Sequence, residues 1–155
     1  MSRIGKPITI LYADDDAEDR MLVKDAWAEN RLANELHFVE DGEELMDYLR
    51  RRGKYANLAD LPLPGMILLD LNMPRKAGHE CLDEIKGNEH LRSIAVIIYS
   101  TSLNPEVVDL LYQKGAHRYV RKPGEFSKLK EAIFEAITSV INGTKPTKEN
   151  FVIKV

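Results

Sequence analysis

Short, almost wholly apolar runs recur along the chain, and most of them end in a polar or charged residue. Ile8 to Ala13 leads into Asp14-Asp15-Asp16, and Met66 to Leu69 leads into Asp70. Ile94 to Tyr99 ends at Ser100-Thr101-Ser102; Arg118 to Arg121, with arginine at both ends, reads as a further strand, closed by Lys122-Pro123. A further short run covers Glu35 to Val39. Runs with no polar alternate position suit strands buried on both faces of a parallel sheet.

Between these runs the pattern changes to helical spacing. Asp16 can cap a first helix, whose inner stripe is expected at Met21, Leu22, Ala26 and Trp27. Asp41-Gly42 turns the chain into a second helix from Glu43 to Arg51, with Leu45, Met46 and Leu49 inward. A third helix follows Gly78 and runs to about Lys86, with Cys81, Leu82 and Ile85 inward. Asn104-Pro105-Glu106 combines a cap with proline at the first helical position, and that helix stops at Gly115. The last helix spans Glu125 to Ile141, with Leu129, Ile133, Phe134 and Ile137 inward. Gly53 to Gly65 fits neither pattern and is expected to be a long loop.

Five strands alternating with five helices predict an α/β fold: a parallel sheet with helices on both faces. The expected topology is the flavodoxin-like, doubly wound five-stranded sheet of order 2-1-3-4-5, with strands one and three meeting at the switch point. Residues 1–142 are expected to form one domain without an output domain. Residues 143–155 are expected to be a tail whose apolar end suits a short added strand.

Composition narrows this little. The chain has 155 residues, 44% hydrophobic and 30% charged, which suits one ordinary globular domain. A net charge of −3 gives no electrostatic reason to expect nucleic acid or a membrane surface as partner. The single cysteine, Cys81, excludes an internal disulfide. No signal-peptide pattern or membrane-spanning run is present, so a cytoplasmic location is expected.

The strand ends carry the chemistry. In a parallel sheet they share one edge, which gathers Asp14 and Asp15, Asp70 and Asn72, Ser100 and Lys122. Singly these residues have plain explanations: helix caps, a turn former, a loop hydroxyl, a surface lysine. Together they are hard to explain as packing. Two carboxylates about 4 Å apart repel by roughly 4 kcal/mol at an effective dielectric of about 20, against a domain stability of only about 5–15 kcal/mol. The cluster calls for a cation, and all-oxygen ligands suit Mg²⁺ or Mn²⁺. A metal, a carboxylate nucleophile, a lysine and a hydroxyl are the equipment for phosphoryl transfer.

These residues, with Leu71-Asn72-Met73-Pro74, Gly78, Thr101, Gly115-Ala116, Tyr119 and Pro123, resemble the receiver domain of two-component response regulators, the CheY-like phosphoacceptor family. The resemblance covers Ile8 to about Ile141. The segment Tyr48 to Tyr55 and the long loop after it are similar to the stand-alone regulators of bacterial phytochrome histidine kinases.

The resemblance implies a phosphorelay signalling protein rather than an enzyme. Asp70 would be the phosphoacceptor for a histidine kinase or phosphotransfer protein. Asp15, Asp70 and the backbone carbonyl of Asn72 would hold Mg²⁺, with Asp14 binding it through water. Lys122 would pair with the phosphoryl oxygens and Ser100 would hydrogen-bond to them. Tyr119 would rotate inward as Ser100 moves, and the Lys122–Pro123 bond would be cis. The face made by the fourth helix, fifth strand and last helix would then meet a downstream protein or a second copy of the chain in a homodimer. The rival reading is a phosphatase or dehalogenase with Asp70 as nucleophile. It lacks the second acid such enzymes place two residues on, where this chain has Asn72.

Overall fold

The computed structural model describes residues 8–155. The first seven residues of the expected domain lie outside the described part. Five parallel strands form one sheet: β1 Ile10–Ala13, β2 Leu36–Val39, β3 Met66–Asp70, β4 Ala95–Ser100 and β5 Arg118–Arg121. Their order is β2-β1-β3-β4-β5, the predicted topology. The helices are α1 Ala17–Glu29, α2 Gly42–Arg50, α3 Gly78–Lys86, α4 Pro105–Gln113 and α5 Phe126–Ile141.

Alternation along each strand divides the core in two. Leu11 and Ala13 of β1, Ile67 and Leu69 of β3 and Ile98 of β4 pack with α2, α3 and α4. Ile10, Tyr12, Met66, Leu68 and Tyr99 point the other way, onto α1 and α5. Both faces of the middle strands are therefore dry, which is why their sequence shows no polar alternate.

Two inner stripes differ from expectation. Met21 and Leu22 are 65% and 46% exposed, and Phe134 is 52% exposed. The buried stripe of α1 is Val23, Ala26 and Trp27, spaced i, i+3, i+4, and the Trp27 indole N–H donates to the Asn34 carbonyl (3.0 Å). In α5 the small residues Ala132 and Ala136 take the inward positions beside Ile133 and Ile137, so Phe134 faces out.

The segment from Gly53 is not a free loop. Gly53–Leu58 forms a 3₁₀ helix, tied down where the Tyr55 hydroxyl donates to Glu44 (2.5 Å). Arg51 holds the rest through the Leu61 and Pro62 carbonyls, each at 3.2 Å. The expected tail strand is reduced to one parallel bridge, Val152 beside Tyr119. It is enough to bury Phe151 and Ile153 on opposite faces of the sheet. The Lys122–Pro123 bond is trans, against the expectation of cis; the intrinsic preference at such bonds is only about 0.5–1 kcal/mol, so local context sets the isomer.

Candidate functional site

Register builds the site. Ala13 pairs with Leu69 across β1 and β3, so Asp14 comes level with Asp70 at the point where both strands end. Adjacent strands lie about 4.8 Å apart, which forces the two carboxylates together. Asp14 is fully buried and Asp70 nearly so, while Asp15 is exposed. One carboxylate oxygen from each of Asp14, Asp15 and Asp70 lies within 4.8 Å of the others. Gly78 lets α3 start directly over the end of β3: a Cβ there would stand 2.4 Å from the Asp70 carbonyl oxygen.

Asp14 is engaged on both oxygens. Its Oδ2 accepts from the Tyr12 hydroxyl (2.5 Å) and from Lys122 Nζ (3.1 Å), and its Oδ1 accepts from the Asp16 backbone N–H (3.0 Å). Asp70 has less. Its Oδ1 accepts only a long bond from the Asn72 N–H (3.3 Å), and its Oδ2 lies 3.9 Å from Lys122 Nζ. Burial first, and then the charge of Asp14, push the Asp70 carboxyl up to about 7, against the pull of Lys122. Burial opposes the charge on Lys122, but its hydrogen bonds to Asp19 and Asp14 outweigh that and hold the ammonium above its ordinary value.

Three residues enter the site that the strand-end reading did not select. Asp19 on α1 accepts from Lys122 Nζ at 2.7 Å, its shortest contact. Tyr12 donates to Asp14, and burial raises its hydroxyl well above the ordinary range, so it stays a donor. Tyr99 lies under the Lys122 ammonium, 5.1 Å from Nζ to ring centroid. Each had a signal. Asp19 extends the Val23–Ala26 stripe back by one turn, Tyr12 is two residues before Asp14 on the same strand face, and Tyr99 pairs in register with Asp70.

The remaining expected residues stand farther along the same edge. Ser100 ends β4 fully buried, its Oγ accepting from the Ser102 N–H (3.2 Å) and its carbonyl from the Lys122 N–H (2.7 Å). Tyr119 is already inward: it is fully buried, and its hydroxyl donates to the Ser102 carbonyl (2.5 Å). Phe151 packs beside it in the same core cluster, with ring centroids 6.3 Å apart.

The donor set fits a divalent cation. All candidate ligands are carboxylate oxygens, one each from Asp14, Asp15 and Asp70 within 4.8 Å of one another, and burial and the charge of Asp14 raise Asp70 against the pull of Lys122. No helix among the described residues is long and apolar enough to cross a membrane.

Known proteins are similar to this chain over most of its length. The family described as the response regulator receiver domain matches residues 10–134. Response regulator Rcp1 of Synechocystis sp. is 37% identical over 116 residues, 75% of this chain and 77% of Rcp1. The Mn²⁺-bound form of Rcp1 superposes with a TM-score of 0.76 at 34% identity, covering 91% of this chain and 100% of that one. The phosphorylated cyanobacterial phytochrome response regulator RcpA gives 0.77 at 35% identity, over 90% and 97% of the two chains. A response regulator in red light signalling of R. palustris gives 0.81 at 33% identity, over 92% and 99%. The chain belongs to the receiver-domain response regulators of two-component signalling, close to the phytochrome response regulators.

Proposed function

We propose that this protein is a phosphoacceptor that takes a phosphoryl group on Asp70 and signals through protein contacts. The observation that carries this reading is the placement of Asp70: a nearly buried carboxylate with an oxygen within 4.8 Å of those of Asp14 and Asp15, facing a lysine at 3.9 Å. The donor is the phosphohistidine of a histidine kinase or phosphotransfer protein, with a phytochrome-class kinase favoured by the similarity to RcpA. An Asp70 oxygen attacks phosphorus, the P–N bond breaks, and the imidazole leaves with its electron pair and takes up a proton.

Mg²⁺, or Mn²⁺ in its place, would be held by Asp15, Asp70 and the Asn72 carbonyl, with Asp14 bound through water. That division is supported by Asp14, whose two oxygens are already engaged by protein donors. When bound, the ion would neutralise phosphoryl oxygens and lower the repulsion within the carboxylate cluster. Lys122 neutralises a further oxygen and Ser100 donates its hydroxyl. Asn72, two residues beyond the nucleophile, cannot serve as a general base for rapid release of the phosphoryl group, which suits a switch better than a turnover enzyme.

Phosphorylation adds about −1.5 to −2 charges at this edge. Ser100 and Lys122 move toward them, and the Ser102 carbonyl that holds Tyr119 lies two residues beyond Ser100. The face of α4, β5 and α5, now including Phe151 and Val152 of the tail, changes with them and meets a downstream protein or a second copy. Incubation with acetyl phosphate or phosphoramidate and Mg²⁺ tests the reading by intact mass. One added phosphoryl group is expected, and an unchanged mass with both donors would overturn it.

A further inference from the structure

Lys122 sits closer to two other carboxylates than to Asp70. Its Nζ lies 2.7 Å from Asp19, 3.1 Å from Asp14 and 3.9 Å from Asp70. An ammonium has three donors, and two are committed to the first two carboxylates. The arrangement is built from several sides. Asp19 stands on the buried stripe of α1, one turn before Val23. Its backbone is fixed by the Asp16 cap, which accepts from the Glu18 and Asp19 N–H groups at 2.9 and 3.2 Å. The Lys122 backbone is fixed through the Ser100 carbonyl, and the Tyr99 ring limits where the ammonium can go.

We propose that Asp19 is a positioning residue for phosphoryl transfer: it holds the Lys122 ammonium off the Asp70 carboxylate, keeping that charge for the incoming phosphoryl oxygens. The proposal rests on the function assigned above. A close Lys122–Asp70 pair would stabilise the ground state of the nucleophile and would weaken as Asp70 transfers its electrons to phosphorus, so it would raise the barrier. Asp19 removes that pair by offering a nearer partner. Its side chain keeps some solvent access (26%), so water can replace Lys122 there when the ammonium turns to the phosphoryl group. Asp14 stays bound to Lys122 throughout.

The test measures phosphoryl uptake from acetyl phosphate with Mg²⁺ on the full chain, as a function of donor concentration. Asp19→Asn is expected to lower the maximal rate about three- to tenfold. The half-saturating donor concentration is expected to stay the same or fall, because the site loses a negative charge. Glu18→Gln removes the same charge from the same helical turn without touching Lys122, and its maximal rate is expected to match wild type. A maximal rate for Asp19→Asn at or above wild type, or an equal loss in Glu18→Gln, overturns the proposal. Asp19→Ser carries the same test should Asp19→Asn not fold, with the melting curve as the check. Failure of the wild type itself to take up phosphoryl would instead overturn the functional reading, and this proposal with it.

Discussion

Asp41 and Asp70 stand on the same edge of the sheet, and both are nearly sealed from water, at 7% and 5% exposure. Asp41 caps α2 by accepting from the Glu44 N–H (2.8 Å), and its second oxygen accepts from Arg75 Nε (2.9 Å). Although burial acts to raise it, these bonds hold its carboxyl below the usual range. Glu84, nearby on α3, is likewise lowered, first by its bond to Lys76, and Arg50 adds a 2.8 Å bond. Asp70 is as closed to the surface but lies deeper among protein atoms; burial first, and then the charge of Asp14, push it up to about 7, with no donor of that quality to oppose them. The α2–α3 side spends its carboxylates on structure, whereas the β1–β3 ends keep theirs under-neutralised. A site that must accept a cation and an anion in turn cannot be satisfied in advance by its own side chains.

Replacing Asp70 gives the largest expected effect. Asp70→Asn should take up no phosphoryl group by intact mass, and full labelling would point to a different acceptor. The same variant should melt about 5 °C higher than wild type in metal-free buffer at about pH 8, because the repulsion from Asp14 is relieved. A lower melting temperature would show that Asp70 is compensated as Asp41 is.

Metal and pH sharpen the contrast next. Between about pH 4 and 7 the folded chain keeps a proton on Asp70 that the unfolded chain has lost, so this group's contribution to stability falls as pH rises. For Asp41 the sign is opposite: its contribution is present above the ordinary carboxylate value and is lost as pH falls through its depressed one. Mg²⁺ at a hundredfold excess over its dissociation constant should add about 2.7 kcal/mol. The gain should be clear at about pH 8 and much smaller at about pH 5, where the Asp70 proton competes with the ion. Asp15→Asn should blunt it at both; equal responses at the two pH values would remove Asp70 from the ligand set.

Much of this contrast was legible in the sequence, for a physical reason. The strand ends are marked by an abrupt change from apolar to polar or charged residues, and in a parallel sheet of any strand order those ends share one edge. Asp14, Asp15, Asp70, Ser100 and Lys122 therefore reach one edge by chain order alone. What sequence could not supply was the sense of each helix face. The expected stripe of α1 took in Met21 and Leu22 and left out Val23, the buried position one turn after Asp19. Once Val23 and Ala26 are the buried positions, Asp19 falls on the inward side. The packing of Tyr119 was hidden for a different reason. It packs against Phe151, more than thirty residues away and held to the sheet edge by the backbone bonds of one bridge.

The next effect lies on the compensated side. Asp41→Ala removes the α2 cap and the partner of Arg75, and should cost about 1–2 kcal/mol in a denaturant melt at neutral pH. Asp41→Asn keeps an oxygen for the Glu44 N–H and should cost less. Both losses should shrink in acid, as wild-type Asp41 is itself protonated. Phosphoryl uptake should persist in both variants, and a loss as complete as that of Asp70→Asn would break the division between the two regions.

Arg50→Gln should have the smallest effect and is the strictest test of how the α2–α3 side is built. Arg50 contacts Glu84 through both Nε and a terminal nitrogen, each at 2.8 Å, but Glu84 also holds Lys76. Removing one of two cations leaves the carboxylate paired, so the loss should stay within about 1 kcal/mol and diminish with added salt. Lys122 offers no such redundancy: it is the one cation within salt-bridge reach of Asp14 and Asp70 among the described residues. If Arg50→Gln proved as costly as Asp41→Ala, the ion pairs of α2 and α3 would act as a single cooperative network. The contrast with the β1–β3 edge would then lie in connectivity as well as in neutralisation.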